Sequence, residues 1–140
     1  MKLPDQLQIK TFTDQRGSIA FCNDFSLDKY KRFYMISPAY KDQIRAWQGH
    51  KLEGKAFQVL SGKIKLVLIP IFDFSSEKVG TPFEFFLDDS HPAIISIPGG
   101  YLNGFQFLSS DSRLMVFSTM SVEESKSDDY RFDADKFYDW

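Results

Sequence analysis

The residues most able to do chemistry in this 140-residue chain lie in the stretch IRAWQGHKLEGKAFQVLSG, from Ile44 to Gly62. It holds His50, one of only two histidines, together with Gln48 and Lys55. Alternate residues of a strand face the same side, so Gln48 and His50 share one face, and Lys55 begins the next strand. An imidazole can exchange a proton near neutral pH, and an ammonium group can stabilise an anion. The spacing therefore predicts that these three side chains converge on one cavity.

Ten short apolar segments run along the chain. Two of them, QIRAWQGH and KAFQVL, carry this stretch, and the others must position it. They are separated by turns rich in Gly, Pro, Asp and Ser, and none carries a helical period. In KIKLVL, Ile64, Leu66 and Leu68 alternate with polar residues, as they do in a strand with one buried face. The chain is therefore predicted to be all-β, a sandwich or barrel, in one domain over residues 1–140. The segments are QIKTFT, IAFCNDF, RFYMIS, QIRAWQGH, KAFQVL, KIKLVLIPIF, FEFFL, AIISI, NGFQFL and RLMVFSTM.

Composition narrows the functional classes. Seventeen basic residues face nineteen acidic ones, and the net charge of −2 disfavours a general nucleic-acid binder. No apolar run is long enough to cross a membrane, and the N-terminal residues lack the apolar core of a signal peptide. We therefore expect a cytoplasmic protein with no membrane partner. The single cysteine, Cys22, excludes an internal disulfide and a cysteine-based zinc cluster.

The quoted stretch resembles the first cupin motif, H-x-H, then three or four residues, E, six residues and G. With Gly62 in register, the glutamate position is Lys55 and the two histidine positions are Gln48 and His50. IPGGYLNGFQF is similar to the second motif, P-x-G-x-x-H-x-x-x-N, with Asn103 at the position of its histidine. The resemblance implies a jelly-roll β-barrel. One imidazole beside an ammonium cannot hold a transition metal, so no metal is expected and a cupin oxygenase is disfavoured.

Four further segments resemble the metal-free cupins that act on nucleotide sugars. FTDQRG is similar to the F-x-D-x-R-G of the dTDP-4-dehydrorhamnose 3,5-epimerases, and RFYMIS to the R-V-Y-Y-I of the dTDP-sugar 3,4-ketoisomerases. IRAWQGHK resembles the ketoisomerases' R-G-x-H-A-H-K, and YRFDADKFYDW the epimerases' closing W-N-D-P…I-x-W. The resemblance implies a homodimer formed through the N-terminal strands. It also implies cofactor-free proton abstraction next to the ketone of a nucleotide-linked 4-keto-6-deoxy sugar, in surface-polysaccharide synthesis.

The same resemblance implies roles for individual residues. His50 would be the base, Lys55 and Arg45 would stabilise the enolate, and Asp133 would orient His50, with Asp135 as the alternative. Arg16 would contact the diphosphate, while Gln48 and Asn103 would hold the sugar.

Two departures from the epimerase pattern keep another function open. The epimerases' histidine base falls at Gln48, which cannot accept a proton at neutral pH, and their tyrosine acid falls near Ser121 and Val122. The alternative is a non-catalytic cupin that binds a sugar or nucleotide sugar. Substitution of His50 discriminates the two functions, because a binder would keep its affinity whereas an isomerase would lose turnover.

Overall fold

The computed structural model describes residues 1–140 and consists of thirteen strands and one five-residue helix. All ten predicted segments contain strand. The elements are β1 Asp5–Gln8, β2 Lys10–Asp14, β3 Gly17–Phe21, β4 Arg32–Ile36, β5 Ile44–His50, β6 Lys55–Ser61, β7 Lys63–Asp73, β8 Lys78–Val79, β9 Phe83–Asp88, β10 Ala93–Ile97, β11 Tyr101–Phe107, β12 Arg113–Ser118, α1 Val122–Lys126 and β13 Tyr130–Arg131.

The strands form two antiparallel sheets and a separate hairpin. One sheet has the order β1-β10-β6-β12-β4, and the other has the order β13-β5-β11-β7, with β8 and β9 both paired to β7. Strands β2 and β3 pair only with each other. Most neighbours within a sheet are distant in sequence, which is the connectivity of a Greek-key sandwich. The predicted all-β architecture is confirmed.

The main core fills the space between the two sheets. Ile64, Leu66 and Leu68 are fully buried on the inner face of β7, as their alternation predicts, and Phe57 of β6 packs with them. Gly62 joins β6 to β7 with a φ of 77°, and a Cβ there would lie 2.5 Å from two serine hydroxyls. Glycine alone fits this turn, which fixes the register of the strand that carries Lys55.

A second core lies on the outer face of the sheet that contains β5. Trp47 is 1% exposed and stacks on Trp140 with 5.2 Å between ring centroids. Its indole N–H donates to the carbonyl of Lys136 at 2.7 Å. The aromatic C-terminal segment thus covers the face of β5 opposite Gln48 and His50, and the predicted sidedness of β5 is confirmed.

The structure differs from the predicted segments near the N-terminus. QIKTFT is broken at the buried Ile9, so that β1 joins the main sheet while β2 turns away into the hairpin. Near the other end, α1 is a single turn closed by a capping box between Ser121 and Glu124. No helix in the structure has the length and apolar character needed to cross a bilayer.

Candidate active site

A cavity of about 560 Å³ opens between the two sheets. Strands β4, β6 and β12 line one side, β5, β11 and β13 line the other, and α1 lies across it. Its charged lining is mostly cationic, because four basic residues face a single acidic residue, Asp129. The basic residues are Arg32, Arg45, Lys126 and Arg131. The remainder is largely apolar, from Ile36, Ala46, Trp47, Phe57, Phe105, Val116, Val122 and Phe132. A polyanion with an apolar part would match this surface.

Gln48 links three of the polar groups at the cavity. Its side-chain oxygen accepts a hydrogen bond from Lys55 Nζ at 2.7 Å, and its side-chain nitrogen donates to Asp129 Oδ1 at 3.0 Å. Asn103, which is 3% exposed, donates from Nδ2 to the main-chain carbonyl of Gln48 at 3.0 Å. The structure therefore brings Gln48, Lys55 and Asn103 into one hydrogen-bonded group, with Arg45 on the same strand as Gln48. Arg45, Gln48 and Asn103 line the cavity, whereas Lys55 is not among the lining residues.

His50 lies beside these residues but is not among those that line the cavity. The ring is 2% exposed, and its Nδ1 lies 2.5 Å from the carbonyl oxygen of Asp128 and 3.0 Å from Glu53 Oε2. Because both neighbours are acceptors, Nδ1 carries the proton and Nε2 carries a lone pair. Nε2 is buried and has no hydrogen-bond partner. Burial lowers the pKa of His50, Lys55 acts in the same direction, and Glu53 opposes them, so the ring is neutral near pH 7.

Lys55 and the cavity residue Tyr34 have the pKa values that are shifted furthest near the cavity. Burial lowers the pKa of Lys55 to about 8, with Glu53 opposing the shift. Burial raises the pKa of Tyr34 to about 12, and the charge of Glu53 adds to it. The Tyr34 ring centroid lies 6.0 Å from Lys55 Nζ. Lys55 can therefore change its charge at little cost, while Tyr34 stays protonated as a donor.

No protein-family model and no curated protein matches the chain. Solved structures do. The chain superposes on a dTDP-4-dehydrorhamnose 3,5-epimerase from Sulfolobus tokodaii with a TM-score of 0.78, at 24% identity over 98% of this chain and 80% of that one. It also matches the sugar 3,4-ketoisomerase QdtA from Thermoanaerobacterium thermosaccharolyticum, in complex with TDP, with a TM-score of 0.69. The identity there is 20%, over 92% of this chain and 88% of that one.

A third similar structure is an epimerase from Legionella pneumophila in complex with dTDP-4-keto-L-rhamnose. It has a TM-score of 0.75 and 19% identity, over 94% of this chain and 73% of that one. The chain has the jelly-roll fold of these sugar epimerases and ketoisomerases. The predicted fold class and the predicted resemblance are both confirmed, and the identities are too low to transfer an activity by themselves.

Within this jelly roll, two predicted site residues lie away from the cavity. Asp133 is exposed on the C-terminal segment and does not contact His50, whose Nδ1 is held instead by Glu53 and the Asp128 carbonyl. The prediction that Asp133 orients the ring is wrong for this structure, and Asp135 is exposed as well. The physical reason is register, because β13 pairs with β5 through Tyr130 and Arg131 and the chain then passes to the outer face.

Arg16 is the second displaced residue. It lies at the turn of the β2–β3 hairpin, with a side chain 78% exposed and bound to Asp14 at 2.6 Å. It does not line the cavity of its own chain. A diphosphate contact by Arg16 therefore stays a prediction that requires a second copy of the chain.

The structure adds residues that the sequence analysis missed. Glu53 and Asp128 hold His50, and Asp129 and Arg131 border the cavity beside Gln48. Asp128 accepts hydrogen bonds from three successive backbone N–H groups of the loop after His50. The sequence pointed to Glu53 only through its position three residues after His50. A carboxylate at such a position usually lies on an exposed loop, so the spacing alone does not predict a buried partner of the histidine.

The jelly roll raises the question of a metal centre, because cupins commonly carry one. At the four positions of the cupin ligands the structure holds one imidazole, two carboxamides and an ammonium that donates to one of them. No group of three or more His, Cys, Asp or Glu side chains in the chain is arranged so that it could hold a metal ion. An ammonium group in the ligand set repels a cation, so these residues do not fit a transition metal.

Proposed function

We propose that the protein is a metal-independent epimerase or ketoisomerase acting on a nucleotide-linked 4-keto-6-deoxy sugar. The observation that carries the proposal is the presence of His50, with a free Nε2, and of Lys55, bonded to the cavity residue Gln48, next to a cationic cavity. The ligands of the similar structures, TDP and dTDP-4-keto-L-rhamnose, have the polyanionic and sugar parts that such a cavity would accept.

In the proposed reaction, His50 Nε2 takes the proton from a carbon next to the ketone. The electrons of the broken C–H bond form a C=C bond, and the carbonyl oxygen becomes an enolate oxygen. Lys55 and Arg45 stabilise that charge, and Gln48 and Asn103 hold the sugar. Delivery of a proton to the opposite face by an acid on that side gives the epimer, and the proton held by His50 then passes to solvent. Return of a proton to the neighbouring carbon after enediol formation gives the ketoisomer.

His50 is closed off in the structure, so side chains of the cavity wall must move for Nε2 to reach a substrate. This feature, with Gln48 at the epimerases' base position, favours a second candidate, a non-catalytic cupin that binds a nucleotide sugar. The two candidates differ in one measurable property, which is the exchange of carbon-bound protons.

Proton NMR of dTDP-4-keto-6-deoxyglucose incubated with the protein in D2O tests this property. We expect enzyme-dependent deuterium uptake at C3 or C5, because the proposed base exchanges its proton with solvent. His50→Ala should abolish the uptake, and His91→Ala, which changes an exposed turn residue, should leave it unchanged. Exchange that persists in His50→Ala would exclude His50 as the base. Line broadening without exchange in the wild type would favour the binder.

We also propose that the protein is a homodimer formed through its N-terminal strands. Phe12 and Ile19 pair across the β2–β3 hairpin and are 56% and 62% exposed, which is an unusual position for two large apolar side chains. A second copy seated on this hairpin would bury them. A cytoplasmic location and a place in surface-polysaccharide synthesis remain predictions.

The dimer predicts a change of mass when this hairpin is made polar. We expect light scattering after size exclusion to give twice the chain mass for the wild type and one chain mass for Phe12→Ser/Ile19→Ser. Phe86→Ser is the matched control, since Phe86 is 70% exposed on β9. A monomeric wild type would contradict the proposed dimer and the proposed reach of Arg16 to a partner's cavity.

A further inference from the structure

Glu53 is a buried carboxylate that the proposed reaction does not yet use. Its side chain is 0% exposed, although it lies in the loop between β5 and β6. Oε1 accepts the hydroxyl of Ser118 at 2.5 Å and lies 3.6 Å from an Arg32 nitrogen. Oε2 accepts the hydroxyl of Ser125 at 2.7 Å and lies 3.0 Å from His50 Nδ1.

The two serine hydroxyls and the Arg32 guanidinium group each direct hydrogen toward this carboxylate, so both of its oxygens act as acceptors. Oε2 therefore accepts from His50, which places the imidazole proton on Nδ1. The carbonyl of Asp128 imposes the same tautomer on the other side of Nδ1. The arrangement therefore leaves Nε2 as the single acceptor on the ring.

We propose that Glu53 is the positioning residue of His50, fixing the tautomer that leaves the Nε2 lone pair free and balancing the imidazolium formed when Nε2 takes a proton. This inference rests on the proposed function. When the C–H bond breaks, one positive charge appears on the ring and one negative charge on the enolate oxygen. Glu53 Oε2 accepts from Nδ1–H throughout, and Nε2 gives up its proton to the neighbouring carbon in ketoisomerisation or to solvent in epimerisation.

Ser125 gives this arrangement a connection to the cavity. It lies in α1, lines the cavity and donates to Glu53, so one side chain touches both the space for the substrate and the partner of the base. Glu124 on the same helix pairs with Lys31 at 2.6 Å, which holds α1 against the segment before β4. A ligand that fills the cavity and presses on α1 would change a hydrogen bond of Glu53.

The groups that act on the charge of His50 come from several elements. Glu53 and Lys55 flank it from the β5–β6 loop and β6, and Asp128 and Asp129 face it from the segment before β13. Glu53→Gln removes one negative charge and keeps the side-chain volume. Lys55 lowers the pKa of His50 and the charge of Glu53 raises it. Without that charge, the pKa of His50 should fall further below its ordinary value.

Histidine ¹⁵N–¹H NMR tests this in the full chain, since the chain has only two histidines and a His91→Gln variant assigns them. In the wild type we expect His50 as the Nδ1–H tautomer. In Glu53→Gln we expect its pKa to fall by about one unit. In the deuterium-exchange assay we expect kcat to fall about 100-fold with KM within about threefold, because the ring is misplaced and the substrate contacts are kept.

Two further variants separate charge from packing. Glu53→Asp keeps the charge and should restore much of the His50 pKa, whereas Glu123→Gln, 82% exposed on α1, should change neither readout. A folded Glu53→Gln protein with the wild-type His50 pKa and kcat would overturn the proposal. If the wild type shows no exchange, the proposed function fails, but the NMR titration still decides whether Glu53 controls His50.

Discussion

Replacing Lys55 with methionine is expected to stabilise the protein and to remove its activity. Lys55 is 2% exposed, and burial lowers its pKa from 10.5 to about 8. The ammonium form is therefore more costly in the folded protein than in the unfolded chain near pH 7. Methionine has a similar length and no charge, and we expect the free energy of unfolding near pH 7 to rise by about 2 kcal/mol. The gain is smaller than the pKa shift implies, because Gln48 loses its donor.

The pH dependence of this gain has a definite sign. Between about pH 8 and 10.5 the unfolded chain binds a proton at Lys55 that the folded protein has released, so the stability of the wild type rises with pH in this window. Lys55→Met lacks this titration. Its advantage over the wild type should therefore be largest below pH 8 and should shrink as the pH is raised toward 10.5.

Urea unfolding near pH 7 and at about pH 9.5 measures both effects. Lys63→Met is the matched control, since Lys63 begins β7 with a side chain 66% exposed and should change stability by less than about 0.5 kcal/mol. In the deuterium-exchange assay, Lys55→Met should lose at least about 100-fold in rate, as expected for loss of a group that stabilises an enolate. A variant less stable than the wild type at both pH values would show that the ammonium is fully compensated.

Asp128→Ala is expected to have the largest effect in the opposite direction. Its carboxylate accepts the backbone N–H groups of Lys51, Leu52 and Glu53 at 2.8–2.9 Å, and the residue is 5% exposed. Alanine leaves these three N–H donors without their partner. We expect the free energy of unfolding to fall by about 2 kcal/mol, because the buried N–H of Glu53 loses its partner at a cost of about 1 kcal/mol or more and the two partly buried N–H groups add less.

Acid unfolding provides a second test of Asp128. Burial tends to raise its pKa, but the hydrogen bonds from the three N–H groups outweigh burial and lower it below 3.8. Its contribution to stability is therefore complete above the ordinary pKa and is lost as the pH falls through the lowered one. Asp128→Ala should show a weaker loss of stability in acid than the wild type does.

Asp129→Ala is the control for this substitution. Asp129 is the next residue, is exposed, and its carboxylate bonds only to the side chains of Gln48 and Arg131. We expect a change within about 1 kcal/mol, as for other exposed ion pairs. Equal losses in the two variants would show that the three backbone hydrogen bonds do not anchor the loop.

Local patterns in the sequence were sufficient for the strands and for their sidedness. Ile64, Leu66 and Leu68 alternate and are buried together, and the side chain of Gln48 lies at the cavity while the indole of Trp47 packs in the second core on the outer face. These features follow from strand geometry, which acts between neighbouring residues. The motif register was also sufficient to bring Lys55 and Asn103 to Gln48.

Partners that come from distant segments could not be predicted in the same way. Glu53 is buried because Asp128 holds its loop, and 75 residues separate the two. Asp133 lies outside the cavity because aromatic packing against Trp47, including Trp140, draws the C-terminal segment to the other face. Neither constraint leaves a pattern within one strand or one motif.

The hydrogen bond between His50 and the Asp128 carbonyl joins residues 78 positions apart. Strands β5 and β6 are made early in translation, but the ring of His50 has no Asp128 to orient it until a further half of the chain has left the ribosome. Closing so long a loop is slow and is unfavourable in entropy before the core is assembled. The site is therefore expected to form late in folding, after the jelly roll, so that intermediates with native-like strands would be inactive.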